Sequence, residues 1–139
     1  MTEQNKILVQ RFYDEILNGR SLVVADEILS PDYIDHSASA PGLANFKTYL
    51  GMITSVFPDI KVTVEDLFTD GNKAAVRLTI HGTQLGSFRG FPPTSTEATW
   101  AGIDILHILN GVITERWSER DFLNMLVQLG HVQYPQESP

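Results

Sequence analysis

Apolar residues in the first half of the chain recur at the spacing of amphipathic helices. Between residues 3 and 18 they fall at i, i+1, i+4, i+5 and i+8, which predicts a helix with one buried face that ends at Gly19. Ser21 is a suitable N-cap for a second, short helix that runs to residue 29. The apolar residues between 43 and 57 predict a third helix, which Pro58 terminates.

The second half of the chain alternates between apolar and polar residues, as half-buried strands do. The predicted strands are residues 60–68, 73–81, 98–109 and 112–118. Asp70-Gly71 and Asn110-Gly111 are suitable turns for two hairpins, and the apolar spacing at 122–129 predicts a final helix. We therefore expect a single α+β domain over residues 1–139, with three N-terminal helices packed on one face of a curved antiparallel sheet.

The register of the second hairpin brings aromatic and acidic residues together. A two-residue turn at 110–111 sets Asp104 opposite Trp117 and Trp100 near Asp121. Such a mixed face suits the wall of a ligand pocket, although a β-bulge would exchange the two faces beyond it. The opposite face is expected to carry Ile103, Ile105, His107, Thr114 and Arg116.

Asp121 is the residue with the clearest candidate chemistry. At the rim of an apolar pocket near Trp100 or Trp117, its carboxylate can transfer protons. The sequence allows a second interpretation, because Asp121 directly precedes Phe122 and can cap the last helix. Both interpretations stay open at this point.

Two histidines have a context that is compatible with proton transfer near neutral pH. His36 follows the second helix, where the chain is expected to cross the mouth of a pocket, and His107 lies near the end of a hairpin strand. Each can equally be a packed or surface residue. The histidine spacings match no common metal-binding motif, and the nucleotide and nucleophile motifs GxGxxG, P-loop and GxSxG are absent. We therefore expect no metal, flavin, nicotinamide or other cofactor.

Composition narrows the class of protein. The chain has ten Lys and Arg residues and seventeen Asp and Glu residues, which gives a net charge of −7. This charge argues against nucleic acid as the main partner. The chain has no cysteine, which excludes disulfides and fits a cytoplasmic location. No apolar run reaches the roughly 18 residues of a membrane span, so no membrane is expected among its partners. Residues 131–139 are expected to form a loose tail.

A series of short motifs resembles the SnoaL-like polyketide cyclases, also called ester cyclases. The resemblance extends from about residue 5 to residue 130 and rests on the order of PDYIDH, FPDI, VTVEDL, GTQLGSF, GFPPT, GIDIL and NGVITERW, followed by Asp121 and QLG. It implies the cone-shaped α+β barrel that this family shares with nuclear transport factor two and ketosteroid isomerase, enclosing a pocket.

The resemblance also implies an activity: cofactor-free, aldol-type ring closure of a small hydrophobic, enolisable carbonyl compound or ester. The catalytic residues that it implies are Asp121 and, fourteen positions earlier, His107. The side chains expected to bind substrate are His36, Trp100, Asp104, Trp117, Phe88, Phe91, Phe12 and Phe57. We expect the loop at 82–96 to border the pocket, because its glycines and aromatics suit a movable cover.

Two other functions remain open. A ketosteroid-isomerase-like proton shuttle needs only one buried carboxylate in an apolar cone. A non-catalytic binding module would keep the pocket but lack a placed base. An epoxide hydrolase of the limonene type is excluded, because it needs an Arg-x-Asp sequence that this chain lacks. In each case we expect a homodimer or higher homo-oligomer, because one layer of helices covers only one face of the sheet.

Overall fold

The computed structural model describes residues 2–136 and has the expected α+β architecture, with helices packed on a five-stranded sheet. The helices are α1 (Thr2–Arg11), which continues as a π-helical segment (Phe12–Asn18), α2 (Leu22–Ile28), α3 (Leu43–Val56) and α4 (Phe122–Gln128). The strands are β1 (Leu29–Asp35), β2 (Lys61–Asp70), β3 (Lys73–Thr83), β4 (Glu97–Leu109) and β5 (Val112–Arg120). Residues 137–139 of the expected tail lie outside the described residues.

The sheet has the strand order β1-β5-β4-β3-β2 and is not closed into a barrel. It is mixed rather than antiparallel, because β1 pairs in parallel with β5. The sequence analysis missed β1 and extended the second helix to residue 29, whereas α2 ends at Ile28. The strand contains Pro31, which cannot donate a ladder hydrogen bond and is tolerated here at the edge of the sheet.

The core fills the space between the helices and the inner face of the sheet. Its largest fully buried side chains include Phe12, Tyr13, Tyr33, Phe46 and Phe57. The helical layer is fixed to the sheet by polar contacts as well: the Asn18 amide accepts from the Val62 N–H at 2.7 Å and donates to its carbonyl at 2.8 Å. Within residues 2–136, the outer face of the sheet carries no helix, and it exposes apolar side chains such as Phe68 and Ile103.

A β-bulge in the second hairpin changes which residues face the core. Asn110 and Gly111 form the expected turn with positive φ values of 51° and 78°. The register then shifts between His107 and Ile108, so that Thr114 is an extra residue on β5. Asp104 consequently lies opposite Ser118, and Trp117 lies opposite Ile105. The predicted register is therefore wrong beyond the bulge.

The shift exchanges two side chains between the faces. Arg116, expected outside, is 2% exposed on the inner face, while Trp117, expected inside, is 36% exposed on the outer face. The physical reason is the period of two along a strand, since one inserted residue reverses every later side chain. The correct assignment brings a guanidinium, instead of an indole, into the core.

Candidate active site

A cavity opens between α3, the sheet and the start of α4. It encloses about 60 Å³ of free space, or about 620 Å³ when the recess that leads to solvent is included. The enclosed volume is far below the roughly 300 to 1,000 Å³ of small-molecule sites, so a ligand of that size must displace side chains at the edge. The lining residues are Leu17, Tyr49, Leu50, Ile53, Thr54, Phe57, Ile60, Val62, Ile80, Phe88, Trp100, Arg116, Arg120 and Phe122.

The only charged residues in this lining are two arginines from the inner face of β5, Arg116 and Arg120. Both are held by Asp104, which is fully buried on β4. Arg120 Nη1 donates to Asp104 Oδ1 at 2.5 Å, and Arg116 Nη1 donates to Oδ2 at 3.3 Å. The Tyr13 hydroxyl donates to the same Oδ2 at 2.6 Å. Asp104 thus fixes both guanidinium groups at the cavity wall.

A second carboxylate completes the network from β1. Asp35 accepts from Arg116 Nε at 2.9 Å, from the Tyr33 hydroxyl at 2.6 Å and from the Ser37 N–H at 2.9 Å. Two carboxylates and two guanidinium groups then balance in charge. A balanced cluster tolerates burial, because every ion has a hydrogen-bonded partner. Toward the cavity it presents N–H donors without a net positive charge.

The protonation states follow from this packing. Burial raises the pKa of Asp104, but the charges of Arg116 and Arg120 outweigh it and leave this pKa below its ordinary value. Burial and the neighbouring Asp104 carboxylate raise the pKa of Tyr13 well above its ordinary value. Asp104 is therefore ionised near neutral pH, and Tyr13 remains a protonated donor.

Five of the predicted binding residues contact the cavity or its polar network. Phe57, Phe88 and Trp100 line the cavity, with the ring centroids of Phe57 and Trp100 5.4 Å apart. Asp104 lies behind the lining and holds the arginines. Phe12 also lies behind the lining, in the core, where its ring stacks under Arg116 with the guanidinium carbon 4.9 Å from the ring centroid.

Asp121 is exposed and lies outside the lining. Its Oδ1 accepts from the Asn124 N–H at 3.2 Å, which makes it the N-cap of α4. Its two chain neighbours, Arg120 and Phe122, both line the cavity. Arg120 also lines an open recess that it shares with Asp121.

His36, His107 and Trp117 come together, but on the outer face of the sheet. The His36 ring stacks on Trp117 with centroids 4.7 Å apart, and His107 meets the same indole edge-on at 4.7 Å. His36 Nε2 also lies 2.6 Å from Glu115 Oε2. The sheet separates this group from the cavity, so these three residues are not part of its wall.

The loop after β3 borders the cavity through Phe88 alone. Phe91 points away and packs on His131, with ring centroids 5.0 Å apart. The amide of Gln84, fully buried, organises the loop: its Nε2 donates to the carbonyls of Gly86 and Phe91, each at 3.0 Å. Its Oε1 lies 2.7 Å from His131 Nε2, so the first residue of the expected loose tail is anchored.

The sequence analysis missed the arginine network, because the predicted register placed Arg116 on the outer face of the sheet. One signal was present. Asp104 lies on the predicted buried face of its strand, between the apolar residues Trp100 and Leu106. A buried carboxylate requires a cationic partner. The nearest cations on the facing strand are Arg116 and Arg120.

Among residues 2–136, no three His, Asp or Glu side chains come together as the ligands of a metal ion do. In the same part of the chain, no helix has the length and hydropathy that a membrane crossing needs.

Comparison with known proteins identifies the family. The family model described as SnoaL-like polyketide cyclase matches residues 7–129. The chain belongs to the SnoaL-like polyketide cyclase family. No curated protein matches the chain significantly.

Solved structures similar to this SnoaL-like chain come from several streptomycetes. TsrD from Streptomyces laurentii is 27% identical, with a TM-score of 0.85 over 94% of this chain and 97% of that one. IdmH from Streptomyces antibioticus, which is proposed to be a polyketide cyclase, is 27% identical, with a TM-score of 0.78 over 88% and 96%. AclR from Streptomyces galilaeus, proposed to be a hydroxylase, is 22% identical, with a TM-score of 0.84 over 99% and 91%. The similarity to AclR shows the fold alone.

Proposed function

We propose that this SnoaL-like protein is a cofactor-free cyclase that closes a ring in a small hydrophobic, enolisable carbonyl compound or ester. The observation that carries the proposal is the pair of fixed guanidinium groups in the wall of an otherwise apolar cavity. Apolar walls with few, oriented polar groups are typical of small-molecule sites.

The arginines are suited to bind the oxygen on which negative charge develops. An enolate forms when the carbon next to a carbonyl group loses a proton, and oriented N–H donors stabilise that charge. Asp104 and Asp35 hold Arg116 in place before any substrate arrives. Because the cluster is balanced in charge, it suits a neutral carbonyl oxygen in the ground state, and its interaction strengthens as the enolate forms.

We assign proton transfer to Asp121. Among the carboxylates near the cavity, Asp104 and Asp35 have their oxygens occupied by buried donors, whereas Asp121 is exposed and makes one bond, to the Asn124 N–H. In the proposal, Asp121 exchanges this bond and turns past Arg120 toward the substrate. Its carboxylate accepts the proton of the acidic carbon.

The remaining steps conserve all atoms and need no oxidant or reductant. The enolate carbon attacks a second carbonyl carbon of the same molecule and forms a carbon–carbon bond. The alkoxide that results takes a proton from the protonated Asp121. The product is an isomer of the substrate with one new ring and one new hydroxyl group.

Asp121→Asn tests the assignment. Asparagine caps a helix about as well as aspartate, so folding should be unchanged. Loss of the proton acceptor should lower kcat by a factor of about 10² to 10⁴ for a cyclising aromatic β-keto ester, measured by chromatography of the product. Asp121→Ser, which also caps, is the matched second variant. A wild-type rate in Asp121→Asn would limit the residue to capping.

A non-catalytic binding module is the second candidate. The observation in its favour is that no carboxylate or imidazole belongs to the cavity lining in the described part of the chain. A module would bind aromatic keto esters with affinities that Asp121→Asn leaves unchanged, and would release them unaltered. The two functions are distinguished by product analysis of the same incubation.

We also propose that a second copy of the chain covers the outer face of the sheet. Its exposed apolar side chains are Ile34, Phe68, Ile103, Ile105 and Trp117. On one side of this stripe β3 carries Lys73, and on the other side β5 carries Glu115 and Glu119. A two-fold axis over β4 places the basic side of one copy against the acidic side of the other. Light scattering that gives 15.5 kDa at micromolar concentration would contradict this.

A further inference from the structure

An exposed guanidinium group covers the edge of the cavity. The Arg89 guanidinium carbon lies 5.3 Å from the ring centroid of Phe88 and 5.2 Å from that of Phe122. Both rings line the cavity, and their centroids are 5.7 Å apart. Because Arg89 is exposed while Phe88 is buried, the guanidinium lies over the two rings on their solvent side.

The backbone at Arg89 is not one that arginine favours. Phe88 and Phe91 exchange N–H···O bonds of 2.9 and 2.8 Å around a two-residue turn. Both central residues have positive φ, 48° at Arg89 and 87° at Gly90, as in a type I′ turn. Asparagine, aspartate or glycine is the usual residue at the first of these positions. Turn formation therefore does not account for a cation at this place.

Arg89 also differs from the other arginines in its partners. Arg116 and Arg120 are bound to Asp104, and Arg77 is bound to Asp66. Arg20 makes no ion pair either, but it donates to the Pro58 carbonyl. Among residues 2–136, none of the ion pairs involves Arg89. In a chain with a net charge of −7, this side chain forms a local positive site beside the cavity.

We propose that the ligand of this cavity carries a carboxylate at the end opposite its reactive carbonyl group, and that Arg89 binds that carboxylate. The inference rests on the proposed function, since it assigns the second end of the same ligand. The carbonyl group meets the charge-balanced arginines inside, the apolar body fills the middle, and the carboxylate stays at the solvent edge. A guanidinium binds a carboxylate through two parallel hydrogen bonds, which neutral esters cannot match.

The test compares an acid with its ester. The probes are 5-oxo-5-phenylpentanoate and its methyl ester, titrated into the full chain by calorimetry. We expect the wild type to bind the acid about three to ten times more tightly than the ester. Arg89→Gln should remove this preference by weakening the acid and leaving the ester unchanged. Arg77→Gln is the matched control, because it removes the same charge on the outer face of the sheet.

Three results would overturn the inference: equal binding of acid and ester by the wild type, equal weakening of both by Arg89→Gln, or the same loss in Arg77→Gln. The first two leave the proposed function intact, because the ester is still bound. Conversely, an acid preference that depends on Arg89, without turnover of any β-keto ester, supports the inference and counts against the cyclase. Binding of neither probe by the wild type overturns both.

Discussion

Replacing Asp104 by asparagine removes the buried charge that holds Arg116 and Arg120 together. The amide keeps the size of the carboxylate, but its NH₂ group faces guanidinium donors in place of an accepting oxygen. Two cations are then left with Asp35 as their one buried counter-charge. Removing one partner of a buried ion pair typically costs about 3 to 5 kcal/mol. For a chain of this size, 1 kcal/mol corresponds to about 3 °C in Tm, so we expect a decrease of about 10 to 15 °C.

Urea unfolding followed by tryptophan fluorescence measures this loss, because Trp100 lies on the same wall as the network. Asp66→Asn is the control: its pair with Arg77 is exposed, and it should cost at most about 1 kcal/mol. Tyr13→Phe, which removes one hydrogen bond to Asp104, should cost about 1 to 3 kcal/mol and serves if Asp104→Asn does not fold. A loss below 1 kcal/mol in Asp104→Asn would refute the reasoning.

The same variant carries a pH signature. The folded pKa of Asp104 lies below its ordinary value, so its contribution to stability is fully present above the unfolded pKa of about 3.9. That contribution is lost as pH falls through the lower, folded pKa. The difference in unfolding free energy between wild type and Asp104→Asn should therefore be constant above about pH 5 and become smaller below about pH 4.

Two further predictions concern the cavity itself. Phe88→Ala should weaken the binding of hydrophobic ligands, as measured by calorimetry. Phe91→Ala should weaken this binding less, because Phe91 packs on His131 outside the lining. Equal losses of affinity in the two variants would contradict this prediction. Gly102→Ala should move Arg120, since the added Cβ lies 2.6 Å from its Nη1 and 2.8 Å from its Cδ. We expect a lower ligand affinity with a smaller loss of stability than in Asp104→Asn, and unchanged affinity would place the ligand away from Arg120.

Local signals account for the parts of the fold that were predicted from sequence. The three helical segments of the first half and both hairpins follow from periodicity and from the Asp70-Gly71 and Asn110-Gly111 turns. Strand β1 was missed because it pairs with residues of β5 that are about eighty positions away in the sequence. No pattern within residues 29–35 indicates a parallel strand partner. Its Pro31 favoured the end of a helix, which was also true.

The candidate site was harder to predict because it depends on one local irregularity. Phe57, Phe88 and Trp100 line the cavity in agreement with the expected pocket residues. The predicted register assigned Trp117 to the wrong face because it did not include the bulge at Thr114. No residue in the hairpin indicates that a bulge is present. The arginines were missed for the same reason. Asp121 is the N-cap of α4, as one of the two interpretations predicted, and its role in proton transfer stays a prediction.

The bulge at Thr114 also has a consequence for how this hairpin can change during evolution. Deleting Thr114 would restore regular pairing and turn Arg116 and Arg120 outward, while Trp117 would turn inward. Glu115, Trp117 and Glu119 would replace the two arginines in the wall without any amino-acid exchange. In this chain, the length of the hairpin after Asn110-Gly111 therefore decides the charge of the cavity wall.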